Sequence, residues 1–192
     1  MKGGDSMVDW KKLRENIEAD KHRFYILISG DKSLRYDSYV VAVLDGTVSP
    51  LDGRSLIKMV SDKVLSKAKK TYNEIKVITG DNSGTDSMAQ EYALSNNHDV
   101  MLYEADWDSN GSKAGFMRNE DMFLCVGSKE HKGALLFWNG EDYMTRNLIY
   151  QAYRYGVPLR VYNYVLKRVL TEDEVKDIQY EENNKQMKYQ KY

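Results

Sequence analysis

Glycine and short polar side chains follow several apolar runs of the sequence, a combination suited to holding a small polar ligand. The first such segment is Ser29-Gly30-Asp31-Lys32-Ser33, directly after the apolar run that begins at Phe24. Glycine lets the backbone approach a ligand closely, and the amides near it can point at an anion. Lys32 adds a positive charge. An ordinary strand-to-helix turn has the same composition, and from this segment alone that interpretation is the stronger one.

The second polar segment runs from Thr79 to Asp86 and opens a helix. Its two glycines and short polar side chains suit a cradle for a phosphate or a ribose. Asp86 either hydrogen-bonds ligand hydroxyls or caps its own helix. Asp81 would repel a phosphate, so a ribose, a base amine or a cation is its expected partner. Binding and structural interpretations weigh about evenly for the candidates here, which are Gly80, Asp81, Asn82, Ser83, Gly84, Thr85 and Asp86.

The third segment, from Ala105 to Asn119, combines an aromatic side chain with two cations near a helix start. Trp107 lies in a polar stretch, where its face offers a base a surface to stack on. Arg118 is unfavourably placed for the helix dipole unless an anion lies between the guanidinium and the helix end. We therefore predict that Arg118 and Lys113 hold a phosphate, with Asn119 beside them.

The fourth segment follows Trp138 and again precedes a helix. Thr145 and the amides near it are positioned in the sequence to contact a phosphate. Asn139-Gly140 is equally typical of a simple turn. Asn139, Gly140 and Thr145 complete the set of predicted ligand-binding residues.

No set of residues indicates a metal, a cofactor or a nucleophile. His22, His98 and His131 are scattered, without a second ligand at zinc spacing, and Cys125 has no recognisable histidine partner. The G-x-G-x-x-G fingerprint of NAD-binding sites is incomplete at Gly30. We assign no catalytic residue, no metal and no cofactor.

Short apolar runs alternate with helical patterns, which predicts an α/β domain with a parallel sheet covered by helices on both faces. Ligands of such sheets bind outside the carboxyl ends of the strands, where all four polar segments fall. A capping box at Thr171 starts a final helix. The predicted strands are Phe24–Ser29, Ile75–Thr79, Asp99–Tyr103, Gly133–Trp138 and Leu159–Tyr162; the predicted helices are Ser6–Ala19, Tyr36–Leu44, Leu56–Tyr72, Thr85–Ser95, 115–126, Asp142–Tyr155 and one from Thr171.

Length, composition and net charge limit the number of domains, the location and the partners to be expected. Its 192 residues fit one domain, 42% are apolar and 30% are charged, and no apolar run is long enough for a membrane span. A single cysteine and a polar start without a signal peptide favour a reducing, cytoplasmic location, which is the host cytoplasm if the protein is viral. The net charge of −1 weighs against nucleic acid as a partner, because it provides no basic surplus.

These segments resemble the SLOG superfamily of Smf/DprA and LOG proteins, nearest its YspA-like branch, from about Phe24 to Tyr164. The family's first loop corresponds to Ser29-Gly30-Asp31-Lys32, and its G-x-D pattern to Gly80 and Gly84-Thr85-Asp86. Its most specific motif is A-D-W, followed by a lysine and A-G-x-x-R-N-x-x-M. That motif is similar to Ala105-Asp106-Trp107 and to Lys113, Gly115, Arg118, Asn119 and Met122. The last loop, F-W-D-G-x-S-x-G-T, aligns without gaps with Phe137 to Thr145.

The resemblance implies a Rossmann-like fold that binds nucleotides or nucleotide-derived ligands. Its members include phosphoribohydrolases that cut a nucleotide's N-glycosidic bond, sensors of nucleotide signals in bacterial defence, and DNA-binding recombination mediators. This sequence departs from the hydrolases in its last loop. Leu148 replaces their glutamate, Met144 replaces the glycine before Thr145, and Asn139 and Asp142 replace an aspartate and a serine. The binding residues are therefore retained better than the catalytic pair.

Three functions remain open at this point. The leading hypothesis is a protein that senses or sequesters an ADP-ribose-type or cyclic nucleotide signal, in bacterial or phage defence or counter-defence. The alternative is a phosphoribohydrolase, whose carboxylate would be one of Asp31, Asp81, Asp86, Asp106, Glu141 and Asp142. DprA-like DNA binding is the third. We also expect a homodimer or larger homo-oligomer, and we divide the chain into a helical extension (1–22), the SLOG-like domain (23–165) and a helical tail (166–192).

Overall fold

The structure is a computed structural model that describes residue 15 and residues 18–37, 40–44 and 47–189. Its centre is a six-stranded sheet in the order β5-β4-β1-β6-β7-β8, and β2 and β3 form a separate two-stranded sheet. All neighbours in the large sheet are parallel except β7 and β8. The strands are β1 (Arg23–Gly30), β2 (Val40–Leu44), β3 (Thr47–Leu51), β4 (Glu74–Gly80), β5 (Asp99–Tyr103), β6 (Lys132–Trp138), β7 (Leu159–Asn163) and β8 (Arg168–Val169).

Helices cover both faces of the large sheet. They are α1 (Gly53–Leu65), α2 (Ala68–Thr71), α3 (Thr85–Ser95), α4 (Trp107–Asn110), α5 (Ala114–Gly127), α6 (Tyr143–Arg154) and α7 (Glu172–Tyr189), with a 3-10 turn at Gly111–Lys113. Ile26 and Ile28 of β1 pack with α1 and α3, whereas Leu27 packs with α5 and α6 on the other face. The continuous apolar run of β1 follows from this, because its alternate side chains enter two separate cores. The predicted α/β class with a Rossmann-like sheet is confirmed.

The predicted helix Tyr36–Leu44 is wrong. Val40–Leu44 is a strand that pairs antiparallel with Thr47–Leu51, where we expected only a turn-rich break around Pro50. The apolar residues recur at helical spacing, but several are valines, whose branched side chains fit an extended strand better than a helix. The predicted helix Leu56–Tyr72 is divided into α1 and α2. The predicted helix Ser6–Ala19 lies, apart from residues 15, 18 and 19, outside the described residues.

The first residues of the carboxyl-terminal segment pack against the rest of the domain. Thr171 and Glu174 form the predicted capping box: the Thr171 amide donates to the Glu174 carboxylate at 2.8 Å, and the Glu174 amide donates to Thr171 Oγ1 at 3.3 Å. Val175 is buried in the core beside α6, and β8 extends the sheet. Within the described part of the chain, none of the helices has the length and apolar character that crossing a bilayer requires.

Candidate functional site

A cavity of about 240 Å³ opens among the loops that follow β1, β4, β5 and β6. These are the carboxyl ends of parallel strands, the usual place for a ligand in such a sheet. Five of the residues predicted to bind a ligand line it, namely Gly30, Lys32, Asn82, Trp107 and Arg118. Ser112, Gly115, Asp142, Tyr143 and Met144 complete the lining. The topology therefore brings together segments that are up to about a hundred residues apart in the sequence.

Arg118 is the buried cation of this cavity. It belongs to the first turns of α5 and is only 4% exposed. Its Nη1 lies 2.5 Å from Asp81 Oδ1 and 3.7 Å from Asp86 Oδ2. The guanidinium lies across Gly80, where an added Cβ would come within 2.8 Å of Nη1. Arg118 thus lies beside the glycine that ends β4, and it shares the cavity with the glycine that ends β1.

Two amide side chains also surround the guanidinium. Arg118 Nη2 donates to Asn119 Oδ1 at 3.1 Å. When the Asn82 carboxamide is oriented so that its oxygen faces the arginine, that oxygen accepts from Nη2 at 2.9 Å. The Nε atom of Arg118 is buried and has no hydrogen-bond partner among the described residues. A buried donor without a partner is energetically costly.

Asp86 lies beneath the Arg118 side chain and is fully buried. It accepts a hydrogen bond from Ser29 Oγ at 2.6 Å and one from the Asn82 backbone amide at 3.3 Å. Burial raises the pKa of Asp86 to about 6, although the Ser29 hydrogen bond and the Arg118 charge oppose this shift. Asp86 does not cap its own helix, whose N-cap is Gly84 without a side-chain hydrogen bond; its carboxylate joins the end of β1 to the loop after β4. Its contact with ligand hydroxyls stays a prediction.

Asp31 and Thr85 join the first and second loops. The Asp31 carboxylate is buried and accepts from Tyr164 Oη at 2.6 Å and from the Ser33 amide at 2.8 Å. Burial and this carboxylate together raise the pKa of Tyr164. Thr85 Oγ1 donates to the Asp31 carbonyl oxygen at 2.8 Å, and its amide donates to the same oxygen at 3.4 Å. Gly84 adopts a φ of +82° at this junction. The polar groups of Asp31 and Thr85 described here are therefore hydrogen-bonded within the protein.

The fourth loop is closed by hydrogen bonds of its own. Asn139 Oδ1 accepts from the amides of Glu141 and Asp142, at 2.7 and 2.8 Å. Asp142 Oδ2 accepts from both the amide and the hydroxyl of Thr145, at 2.6 and 2.7 Å, and so caps α6. Gly140, with a φ of +100°, permits the turn between them. The Thr145 groups that we expected to contact a phosphate are already bonded to Asp142.

Several predicted site residues lie away from the cavity. Lys113 lines a different depression, between α5 and α6, together with Phe116 and Tyr150. Asn119 is fully buried and donates to Asn147 Oδ1 at 3.2 Å. Ser83 is exposed and is not part of the lining. Leu148, which the resemblance to the hydrolases aligns with their glutamate, is 2% exposed and belongs to the core.

Met144 and Gly115 line the cavity, although they were not among the residues predicted to bind a ligand. An added Cβ at Gly115 would lie 2.9 Å from Met144 Cε and 3.5 Å from the Trp107 ring. Met144 therefore packs across Gly115, beside the 52% exposed Trp107. A signal was present in the sequence, because Met144 stands where the resemblance to the SLOG superfamily leads one to expect a glycine, and it adds a large side chain to this loop.

The balance of charge around the cavity is close to neutral. Two cations, Arg118 and Lys32, lie near three carboxylates, those of Asp81, Asp86 and Asp142. Lys32 is exposed and makes no ion pair with another described residue. No group of three or more histidine, cysteine, aspartate or glutamate side chains in the described chain is arranged to hold a metal ion.

The sheet topology and the position of the cavity define this chain as a Rossmann-like α/β protein. No protein-family model, curated protein or solved structure matches its sequence or fold.

Proposed function

We propose that this chain binds a nucleotide-derived small molecule, of the ADP-ribose type or a cyclic nucleotide, and senses or sequesters it. The observation that carries the proposal is the pairing of Trp107 and Arg118 in one cavity at the carboxyl ends of the strands. A half-exposed indole is a stacking surface for a base, and the buried guanidinium holds the Asp81 side chain in place beside the cavity. The resemblance of the loops to the SLOG superfamily supports the same class of ligand.

The cavity accommodates part of such a ligand. Its volume of about 240 Å³ is below the roughly 300–1,000 Å³ that is common for drug-sized ligands. The rest of the molecule would lie at the rim, where Lys32 and the 66% exposed Tyr143 are accessible. We therefore expect one nucleoside-sized group inside and the remainder outside.

Binding is favoured over glycosidic hydrolysis by the groups that surround the cavity. A hydrolase needs a carboxylate at the reacting bond, and Leu148 stands at the position of the family glutamate. Asp142 keeps the hydrolase as the second candidate, because its carboxylate belongs to the lining. DNA binding is the least favoured function, since the chain carries a net charge of −1.

We further propose a cytoplasmic protein that assembles as a homodimer or a larger homo-oligomer. Several aromatic side chains on α6 and α7 are exposed, including Tyr153 at 56% and Tyr180 at 69%. Exposed aromatic residues in groups are typical of protein interfaces. Native mass spectrometry of the purified chain tests the assembly.

The binding proposal is tested by incubating the protein with ADP-ribose, cyclic AMP and AMP, followed by isolation, heat release and mass spectrometry. Intact ligand in the released fraction supports binding, whereas free base indicates hydrolysis. Trp107→Ala should reduce the retained ligand by about tenfold, which is the energy expected of one base–aromatic stack. Leu94→Ala, which removes a 67% exposed apolar side chain on α3 outside the cavity lining, is the control and should retain ligand as the unmodified protein does. Equal retention by both variants contradicts the proposed site.

A further inference from the structure

Several backbone amides of the loops around the cavity are already hydrogen-bonded to other parts of the protein. The amides of Ser33, Asn82 and Thr145 each donate to an aspartate side chain. The Thr85 amide donates to a backbone oxygen of the first loop. Amides at a helix start hold an anion only when they point at it, and these four point at oxygens of the protein. These four amides are therefore already bonded within the protein and are not free to bind a phosphate.

The guanidinium of Arg118 is also largely compensated. Asp81 lies 2.5 Å from Nη1, and Asp86 lies 3.7 Å from the same atom. A phosphate that bound Arg118 at this position would have to approach two carboxylates that are already there. Like charges at such distances repel strongly in a partly buried site, where the effective dielectric constant is low.

The remaining polar groups suit a neutral, hydroxyl-bearing group. Asp142 and Asn82 line the cavity, and carboxylate and carboxamide groups hydrogen-bond hydroxyls well. Trp107 supplies an apolar face. Lys32 is an exposed cation of the lining, and it forms no ion pair with any described carboxylate.

From these contacts we propose that the cavity recognises the uncharged nucleoside part of its ligand. The base lies against Trp107, the sugar hydroxyls meet Asp142 and Asn82, and any phosphate lies at the rim beside Lys32. This inference rests on the proposed function and specifies it: the ligand is selected by base and sugar, and its phosphate contributes little to affinity. It reverses our expectation that Arg118 and Lys113 hold the phosphate.

The test is a set of calorimetric titrations with each nucleoside and its 5′-monophosphate, for adenine, guanine, cytosine and uracil, at low and high salt. For the base that binds, removal of the phosphate should weaken binding by less than about fivefold. This is the loss of affinity expected when one exposed ion pair is removed. Raising the salt should change the affinity of the nucleoside little. Lys32→Ala should abolish whatever advantage the monophosphate has, while Lys70→Ala, an exposed lysine on α2, should preserve it.

The outcomes are distinguishable. A monophosphate that binds more than about tenfold tighter than its nucleoside, with steep salt dependence, overturns this inference and leaves the proposed function standing. Failure of all nucleosides and monophosphates to bind, together with failure of ADP-ribose and cyclic AMP, removes the proposed function and this inference with it.

A variant that removes the negative charge of Asp81 provides a second test. Asp81→Asn keeps the shape of the side chain and removes one of the two carboxylates beside Arg118. The variant should gain preference for the monophosphate over the nucleoside by about tenfold, because the guanidinium becomes available for a charge-assisted contact. Asp108→Asn removes an exposed carboxylate on α4, outside the lining, and should leave the preference unchanged. Equal preferences in the Asp81→Asn and Asp108→Asn variants contradict the role given to Asp81.

Discussion

Arg118 and Asp81 form an ion pair at 2.5 Å in which the arginine is buried and the aspartate is partly exposed. The pair joins α5 to the loop after β4. Asp81 Oδ2 also accepts from the Ala105 amide at 3.1 Å, which adds the loop after β5. The Asp81 side chain thus connects three of the segments around the cavity.

Replacing Arg118 should destabilise the fold as well as the site. In Arg118→Ala, the buried Asp86 loses its cationic neighbour, and breaking a buried pair costs about 3–5 kcal/mol. Urea denaturation should show this loss of unfolding free energy, and ligand retention should fall. Lys70→Ala is the control for loss of a surface cation and should change stability by less than about 0.5 kcal/mol. A stable Arg118→Ala variant with full ligand retention contradicts the assignment of Arg118 to the site.

Asp86 should give the protein an acid-favoured component of stability. Its pKa is raised from 3.8 to about 6 on folding, so the folded state binds more protons between these values. This contribution is complete below about pH 4 and is lost as the pH rises through 6, amounting to about 3 kcal/mol. Asp86→Asn does not titrate. The stability of the unmodified protein relative to this variant should therefore decline between pH 4 and pH 7 in urea titrations, and a constant difference contradicts the buried carboxylate.

Gly80→Ala should disturb the ion pair directly. The new Cβ would lie 2.5 Å from Asp86 Oδ2 and 2.8 Å from Arg118 Nη1, so both side chains must move. Overpacking of this kind costs about 1–3 kcal/mol. Gly133→Ala in β6 is the matched control, because its new Cβ would meet its nearest neighbour at 3.4 Å, an ordinary contact. Thermal unfolding should separate the two variants, and equal melting temperatures would show that the Arg118 side chain is not held over Gly80.

Gly115→Ala should weaken binding while leaving the fold intact. The added methyl group would displace the flexible end of Met144 and fill space next to Trp107. Because the displaced atom is the end of a mobile side chain, we expect a change in stability below about 1 kcal/mol. Ligand retention should fall by about tenfold, as for other lost contacts in a small pocket. An unchanged retention would place the ligand away from the Trp107 side of the cavity.

The sequence determined the class of fold because its patterns are local. The apolar run of β1 enters two cores, and a stretch of consecutive apolar residues ending at glycine shows this without any structure. The hairpin of β2 and β3 was missed because its first strand fits two patterns at once: its apolar residues recur at helical spacing, and its valines favour a strand. Only the antiparallel pairing between the two strands distinguishes a hairpin from a helix here.

The sequence also determined that the polar loops meet at one edge, since parallel strands carry their carboxyl ends to the same side. How the polar groups of these loops are used follows from the packing of the folded chain. Asp81 pairs with Arg118, Asp142 holds Thr145, and Lys113 lies on another face. Residue types state which hydrogen bonds and ion pairs a loop can form. The choice between a ligand and a neighbouring loop depends on distances of a few ångströms, which are set by how the helices pack on the sheet.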